Sequence, residues 1–280
     1  MNSPLSPSEW PSPHQHIDAL NIGEILAIIN EEDAKIHLAV RKALPHIELL
    51  TGVVVDKMRQ GGRLFYIGAG TSGRLGVLDA SELPPTFGVD EHLVCGIIAG
   101  GDAALRQSVE HAEDDSHAAW KILQQQGCTS GDCVIGIAAS GTTPFVVGGV
   151  TEARAHGVFT GCITSNPDSP LSKMVHVAIE VVTGSEVISG STRMKAGTAQ
   201  KMVLNMISTT LMIKLGRVKG NLMVNMQLKN EKLIQRAIRI LNFELGMDVD
   251  EATRYLAQYG SVQKVLETVG NKKTDPEDRF

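Results

Sequence analysis

Aromatic residues make up only 4% of the 280-residue chain, and cysteine is rarer still, with four in all. Cys95, Cys128, Cys133 and Cys162 stand singly, with no C-x-x-C pair and no histidine at ligand spacing. That leaves no metal site to name and predicts reduced thiols in a cytoplasmic setting. No run approaches the roughly 18 apolar residues that a membrane helix needs. The opening MNSPLSPSEWPSPHQHIDAL lacks the basic flank and apolar core of a secretory leader. A basic excess is missing too: Lys and Arg number 26 against 31 Asp and Glu, for a net charge of −5 and a pI near 6.0. Nucleic acid would need clustered Lys and Arg to neutralise phosphates, so a small molecule is the expected partner.

What the chain does hold is 42% hydrophobic residues, 28 glycines and 20% charged residues, the profile of a globular α/β protein with many tight turns. Its organising stretch is Arg63 to Gly88, RLFYIGAGTSGRLGVLDASELPPTFG. An apolar run to Ile67 predicts a buried strand, Gly68 to Gly73 a turn, and Leu75, Val77 and Leu78 a helix halted by Pro84 and Pro85. Backbone N–H groups at such a helix start favour an anion, and glycine lets a ligand approach closely, so Gly70, Thr71 and Ser72 become candidate phosphate contacts. The spacing Gly68-x-Gly70-x-x-Gly73 also matches the dinucleotide fingerprint, but that motif wants an acidic residue about 20 positions further on, and Asp102 lies too far along.

The same strand, turn and helix alternation repeats. Leu93 to Ala99, Cys133 to Ala138, Gly157 to Thr164 and Val175 to Val182 read as further strands, predicting a parallel sheet with helices on both faces and a site at the strands' carboxyl ends. Ser140-Gly141-Thr142-Thr143 forms a second hydroxyl-rich turn, suited to a phosphate monoester, although an ordinary helix cap would use the same residues. Residues up to about Asp18 read as a loosely docked arm, followed by helices over Ile22 to Ile29, Ala34 to Leu50 (interrupted at Pro45) and Gly52 to Gln60. A long helix is expected over Ala103 to Gln126, putting Glu110 and Glu113 on one face. Beyond Gly216 the apolar spacing predicts a small helical bundle with methionines as core filler. These boundaries suggest an arm over 1–52, a phosphate-binding α/β domain over 53–216 and a helical region over 217–280.

Three long motifs carry a resemblance: Gly68 to Glu82 (GAGTSGRLGVLDASE), Gly190 to Lys201 (GSTRMKAGTAQK) and Gly220 to Val224 (GNLMV). Together they resemble the N-acetylmuramic acid 6-phosphate etherases of the sugar isomerase (SIS) superfamily, over roughly residues 20 to 260. The resemblance implies a homodimeric cytoplasmic lyase that needs no metal or other cofactor. It would cleave the D-lactyl ether of N-acetylmuramic acid 6-phosphate to N-acetylglucosamine 6-phosphate and D-lactate in cell-wall sugar recycling. It puts the family's functional glutamates on Glu82 and Glu113, and adds Ser81 and Ser191 to the substrate contacts. Departures are the proline-rich first 16 residues, Leu83 where a cysteine is frequent, and the polar ending Asn271 to Phe280.

The implied chemistry explains the residue types. An ether is a poor leaving group until the C2 proton, acidified by the C1 aldehyde of the opened sugar, is removed and the departing lactate oxygen is protonated. That work needs two carboxyl groups in different protonation states. Glu82 is the expected acid, which then activates water, and Glu113 the expected C2 base, with Glu110 its rival. A phosphosugar sensor without turnover could keep the turns and dispense with the acids; an aldose–ketose isomerase is the rival within enzymes.

Overall fold

The computed structural model of the protein describes residues 6–270. The described residues divide into two compact units, one of residues 6–81 and 92–211, the other of residues 82–91 and 212–270. The polar ending, Asn271 to Phe280, lies outside the described residues.

The first unit is built on five strands: β1 (Leu64–Gly68), β2 (Val94–Ile98), β3 (Cys133–Ile137), β4 (Phe159–Thr164) and β5 (Val177–Glu180). All neighbours pair parallel, in the order β2-β1-β3-β4-β5. The strands read as near-continuous apolar runs because both faces are covered. On one face Phe65, Ile67 and Val134 pack under α5 (Ala118–Gln125), α6 (Pro144–Ala155) and α7 (Pro170–Met174), through Ala119, Leu123, Phe145, Val146 and Leu171. On the other face α2 (Ile36–Arg59) lays Leu50 over Gly161, and α3 (Gly70–Phe87) lays Gly76 over Tyr66 and Ile137. At the amino edge Asp132, 3% exposed, takes Nε and Nη2 of Arg63 at 3.3 and 3.0 Å and the backbone N–H of both Arg63 and Thr129. This clamp staples the starts of β1 and β3, and its charged hydrogen bonds hold the Asp132 carboxyl below its ordinary range against the opposing effect of burial.

Several sequence expectations are corrected. The arm is not loose in the residues described: Ser8, 1% exposed, donates its backbone N–H to Asn166 Oδ1 (3.0 Å) and accepts from Asn166 Nδ2 (2.8 Å). Pro45 does not interrupt the second helix, since α2 runs through it for 24 residues. Pro84 and Pro85 do not halt α3 either. Proline removes one intrahelical hydrogen bond, a loss of a few kcal/mol (about 3) that burying one apolar face of the helix offsets. The long helix over Ala103 to Gln126 is two pieces: α4 (Ala103–Arg106) and α5, joined by an irregular segment in which His111 adopts φ +61°. Asp115 explains the restart, because its Oδ1 accepts the N–H groups of His117 and Ala118 and caps α5. Glu110 and Glu113 therefore do not share a helical face.

The remaining helices of the first unit are α1 (Ile22–Asp33), opened by a capping box between Asn21 and Glu24, and α8 (Lys195–Lys214), which continues into the second unit. In the second unit α9 (Glu231–Leu245), α10 (Val249–Tyr259) and α11 (Val262–Val265) enclose Met226, Ala237, Leu241, Met247, Leu256 and Val265. Asn230, Asp248 and Ser261 cap their starts with side-chain oxygens. Met226 and Met247 are core filler, as expected.

Candidate active site

Glycine sets the geometry at the carboxyl end of β1. A Cβ on Gly73 would stand 2.6 Å from Ile98 Cγ1 and 2.7 Å from Gly68 O, so the helix start can lie against the strand only if both residues lack side chains. Gly70 takes φ +51°, which glycine alone adopts without strain. The first intrahelical bond of α3 is Gly73 N–H to Ala69 O (3.1 Å), and the N–H groups of Gly70, Thr71 and Ser72 precede it.

The chain crosses from β1 to β2 on one side and β3 on the other, so the sheet order reverses between β1 and β3. In parallel sheets that reversal opens a crevice beyond the strand ends. Gly68 and Ile137 are in register there, which sets the glycine turn beside Ser140 to Thr143. Within the second turn the hydroxyl of Thr142 donates to Ser140 Oγ (3.0 Å), as does its N–H (3.2 Å). Gly141 has φ +70° and packs against Ser169, and Thr143 stands at the start of α6. The N–H of Phe145, in the first turn of α6, donates to Glu113 O at 2.9 Å. That bond ties the Glu113 segment to the second turn.

A cavity of about 490 Å³ opens at this edge. Its walls are Ala69, Gly70 and Arg74 from the β1–α3 turn, Ala99 and Ala104, and the segment Ser108 to Asp114. Glu110 and Glu113 thus enter the same cavity as Gly70, joined there without a shared helix. Arg74, one turn beyond Gly70, was not singled out in the sequence. The signal was available, since position i+4 from a helix start lies on the same face. Arg74 Nε donates to Leu105 O at 3.2 Å, anchoring the guanidinium against α4.

Other candidate residues stand outside that lining. Ser72 is buried and donates to Gln200 Oε1 of α8 at 2.9 Å. Thr71 is half-buried beside Gly197. Ser81 is exposed and donates to Leu78 O (2.9 Å). Glu82 is exposed on α3, twelve residues beyond Gly70, where the second unit begins. Its motif neighbour Asp79 is 3% exposed and accepts from Ser208 Oγ at 3.0 Å, with Lys201 Nζ at 3.9 Å. Asp79 therefore locks α3 to α8. Burial first, and then the charge of Asp79, push the Tyr66 hydroxyl well above its ordinary pKa.

In the second motif Ser191 accepts the N–H of Met194 on its carbonyl, in the turn before α8. Glu186, fully buried, receives the N–H groups of Lys195 and Ala196 at 2.8 and 3.0 Å. Lys195 reaches Glu32 Oε2 at 2.7 Å. Neither Glu32, 163 positions from Lys195, nor Glu186, nine positions before it, was singled out in the sequence. Among the described residues no three His, Cys, Asp or Glu side chains gather as a metal site.

The doubly crossed parallel sheet, with glycine and hydroxyl turns at its reversal, defines an SIS domain protein. The SIS domain model matches residues 114–209, and the model of the glucokinase regulatory protein N-terminal SIS domain matches residues 47–154. The fold alone is shared with a phosphoheptose isomerase of Neisseria gonorrhoeae (TM-score 0.54, 15% identity, 68% of this chain and 98% of that one). A phosphoheptose isomerase of Francisella tularensis is similar (TM-score 0.53, 20% identity, 71% and 100%). Sequence likeness goes much further. The N-acetylmuramic acid 6-phosphate etherase of Bacteroides fragilis is 55% identical over 260 residues, 93% of this chain and 92% of the relative. That of Christiangramia forsetii is 54% identical over 273 residues, 98% and 100%, and that of Clostridium acetobutylicum 50% over 250, 89% and 83%. The chain belongs to the N-acetylmuramic acid 6-phosphate etherase family.

Proposed function

We propose that this chain is a carbon–oxygen lyase that splits the D-lactyl ether of N-acetylmuramic acid 6-phosphate, serving peptidoglycan recycling. The observation that carries this reading is 55% identity across 92% of the length of a relative bearing the etherase name. The geometry agrees with it: a cavity beyond the carboxyl ends of β1 and β2 is lined by carboxylates and a guanidinium. Glu113 removes the C2 proton of the opened sugar. The C3–O bond breaks as the lactate oxygen takes a proton from Glu82, a role that rests on the Asp-Ala-Ser-Glu motif. Water then adds at C3 and a proton returns to C2, giving N-acetylglucosamine 6-phosphate. Gly70, Thr71, Ser72, Ser140, Gly141, Thr142 and Thr143 make up the phosphate cradle, and Ser81 and Ser191 complete the substrate contacts.

The chain works as a cytoplasmic homodimer with the phosphosugar as its partner; no described helix is long and apolar enough to cross a membrane. Its functional segments are the arm (1–52), the phosphosugar-binding region (53–216) and the helical region (217–280). A second reading, a phosphosugar sensor without turnover, is favoured by the match to the glucokinase regulatory protein domain. Incubation with N-acetylmuramic acid 6-phosphate in heavy water separates these readings. Lactate with deuterium at C2 is the expected result; a ketose would point to an isomerase, and no product at all would sink the etherase.

A further inference from the structure

Arg74 poses a question that the proposed reaction leaves open. Only two basic side chains, Arg74 and His111, line the cavity, against three carboxylates, those of Glu110, Glu113 and Asp114. Yet among the described residues Arg74 forms no ion pair with any of them; its bond is the one from Nε to Leu105 O. A half-buried guanidinium held at Nε has its two terminal nitrogens left over, the planar pair of donors that binds a carboxylate in a bidentate manner. We propose that Arg74 is the specificity-determining residue of this site and that its guanidinium takes the lactyl carboxylate of the substrate. The inference rests on the etherase reading above.

The substrate brings two anions, and the chemistry decides between them. The phosphate sits on C6, at the opposite end of the sugar from the carbon that loses its proton. The lactyl carboxylate hangs from the ether oxygen on C3, next to that carbon. If Glu113 reaches C2 from the cavity wall, the anion holder on the facing wall meets the nearer group. The Ser140 to Thr143 part of the phosphate cradle lies outside the cavity lining that holds Arg74. A further carboxylate entering beside Glu110, Glu113 and Asp114 would be repelled, and the Arg74 guanidinium offsets that repulsion. The product sugar has no lactyl group, so it forfeits this contact and departs more readily.

The test uses the full chain with Arg74→Met and Arg74→Lys. The kcat/KM for lactate release is compared with the dissociation constant of N-acetylglucosamine 6-phosphate, which keeps the phosphate and lacks the lactyl group. A charge-assisted hydrogen-bonded pair lost to Met lowers kcat/KM by about 10- to 100-fold. Arg74→Lys recovers part of that loss, and product-sugar binding stays within about twofold of the native chain in both variants. Equal losses for the two ligands would show that Arg74 serves the phosphate or merely props the Leu105 segment, and an unchanged kcat/KM would remove it from the site. Calorimetric binding of both sugars is read independently of turnover. If the native chain releases no lactate yet prefers the lactyl sugar through Arg74, the reaction falls and the carboxylate assignment stands. Without that preference the assignment falls as well.

Discussion

Substituting Glu32 by glutamine reports on the ionic cluster that ties α1 to the second motif. Glu32 Oε2 accepts from Lys195 Nζ at 2.7 Å; Oε1 accepts from Lys35 Nζ at 2.6 Å and meets His14 Nε2 at 3.1 Å. The side chains of Lys195 and Glu32 are 4% and 9% exposed, so solvent screens the pair only slightly. Burial on its own would push the carboxyl up, but the hydrogen bonds from Lys195, Lys35 and His14 outweigh it and bring its pKa from 4.5 to about 2. At roughly 1.4 kcal/mol per pKa unit that drop is worth at most about 3 kcal/mol. A carboxyl whose pKa is depressed by folding stabilises the native state above its unfolded pKa, and the contribution drains away as pH falls from about 4.5 towards about 2. Urea unfolding of the native chain and Glu32→Gln between pH 7 and pH 2 should therefore differ by about 3 kcal/mol on a plateau above pH 5, equivalent to about 6–12 °C in Tm, and converge in acid. The neutral variant also strands the Lys195 ammonium, so adding Lys195→Met should cost less than the sum of the two single changes. A difference curve that stays flat down to pH 2, or a plateau below about 0.5 kcal/mol, would refute the reasoning.

Gly73→Ala should lower the urea midpoint by an amount equivalent to about 1–3 kcal/mol, because the new methyl meets the Gly68 carbonyl within the β1–α3 turn; a native midpoint would overturn the close-packing account. In lactate-release assays Glu113→Gln should lose at least about 100-fold in kcat while Glu110→Gln stays within a few-fold, and a reversed order would move the base to Glu110. Burial pushes the Cys128 thiol up to about 11 and those of Cys133 and Cys162 up to about 12. All three should therefore resist a thiol reagent at pH 8 until the chain is unfolded; prompt labelling of Cys133 or Cys162 in the native protein would contradict their burial.

Where local chemistry decides the outcome, it is visible in the residues themselves. Apolar runs flanked by glycine turns mark all five strands, because a strand covered on both faces has no polar side to show. Gly68 and Gly73 mark the close turn, since no other residue tolerates that approach, and Gly70 its left-handed backbone. Asn230, Asp248 and Ser261 announce their helices through side chains that bond their own backbone nearby. The three prolines mislead for the opposite reason: the lost hydrogen bond is local, but the burial that outweighs it comes from elements far along the chain. The same holds between Ala103 and Gln126, where helical spacing is genuine but a capping aspartate and a left-handed His111 turn the segment towards β1.

Unaided, then, the order of residues determined the alternating strands and helices and the glycine and hydroxyl turns, all of which depend on neighbours a few positions away, while the pair of candidate glutamates was what the family resemblance implied. Tertiary structure alone decided which charges meet. Lys195 closes on Glu32 across 163 positions, Asp79 on Ser208 across 129, and Glu113 comes to share a cavity with Arg74. Such pairings arise from the crossing order of a parallel sheet, which brings distant segments to one edge, and no periodicity along the chain encodes which distant partner that will be.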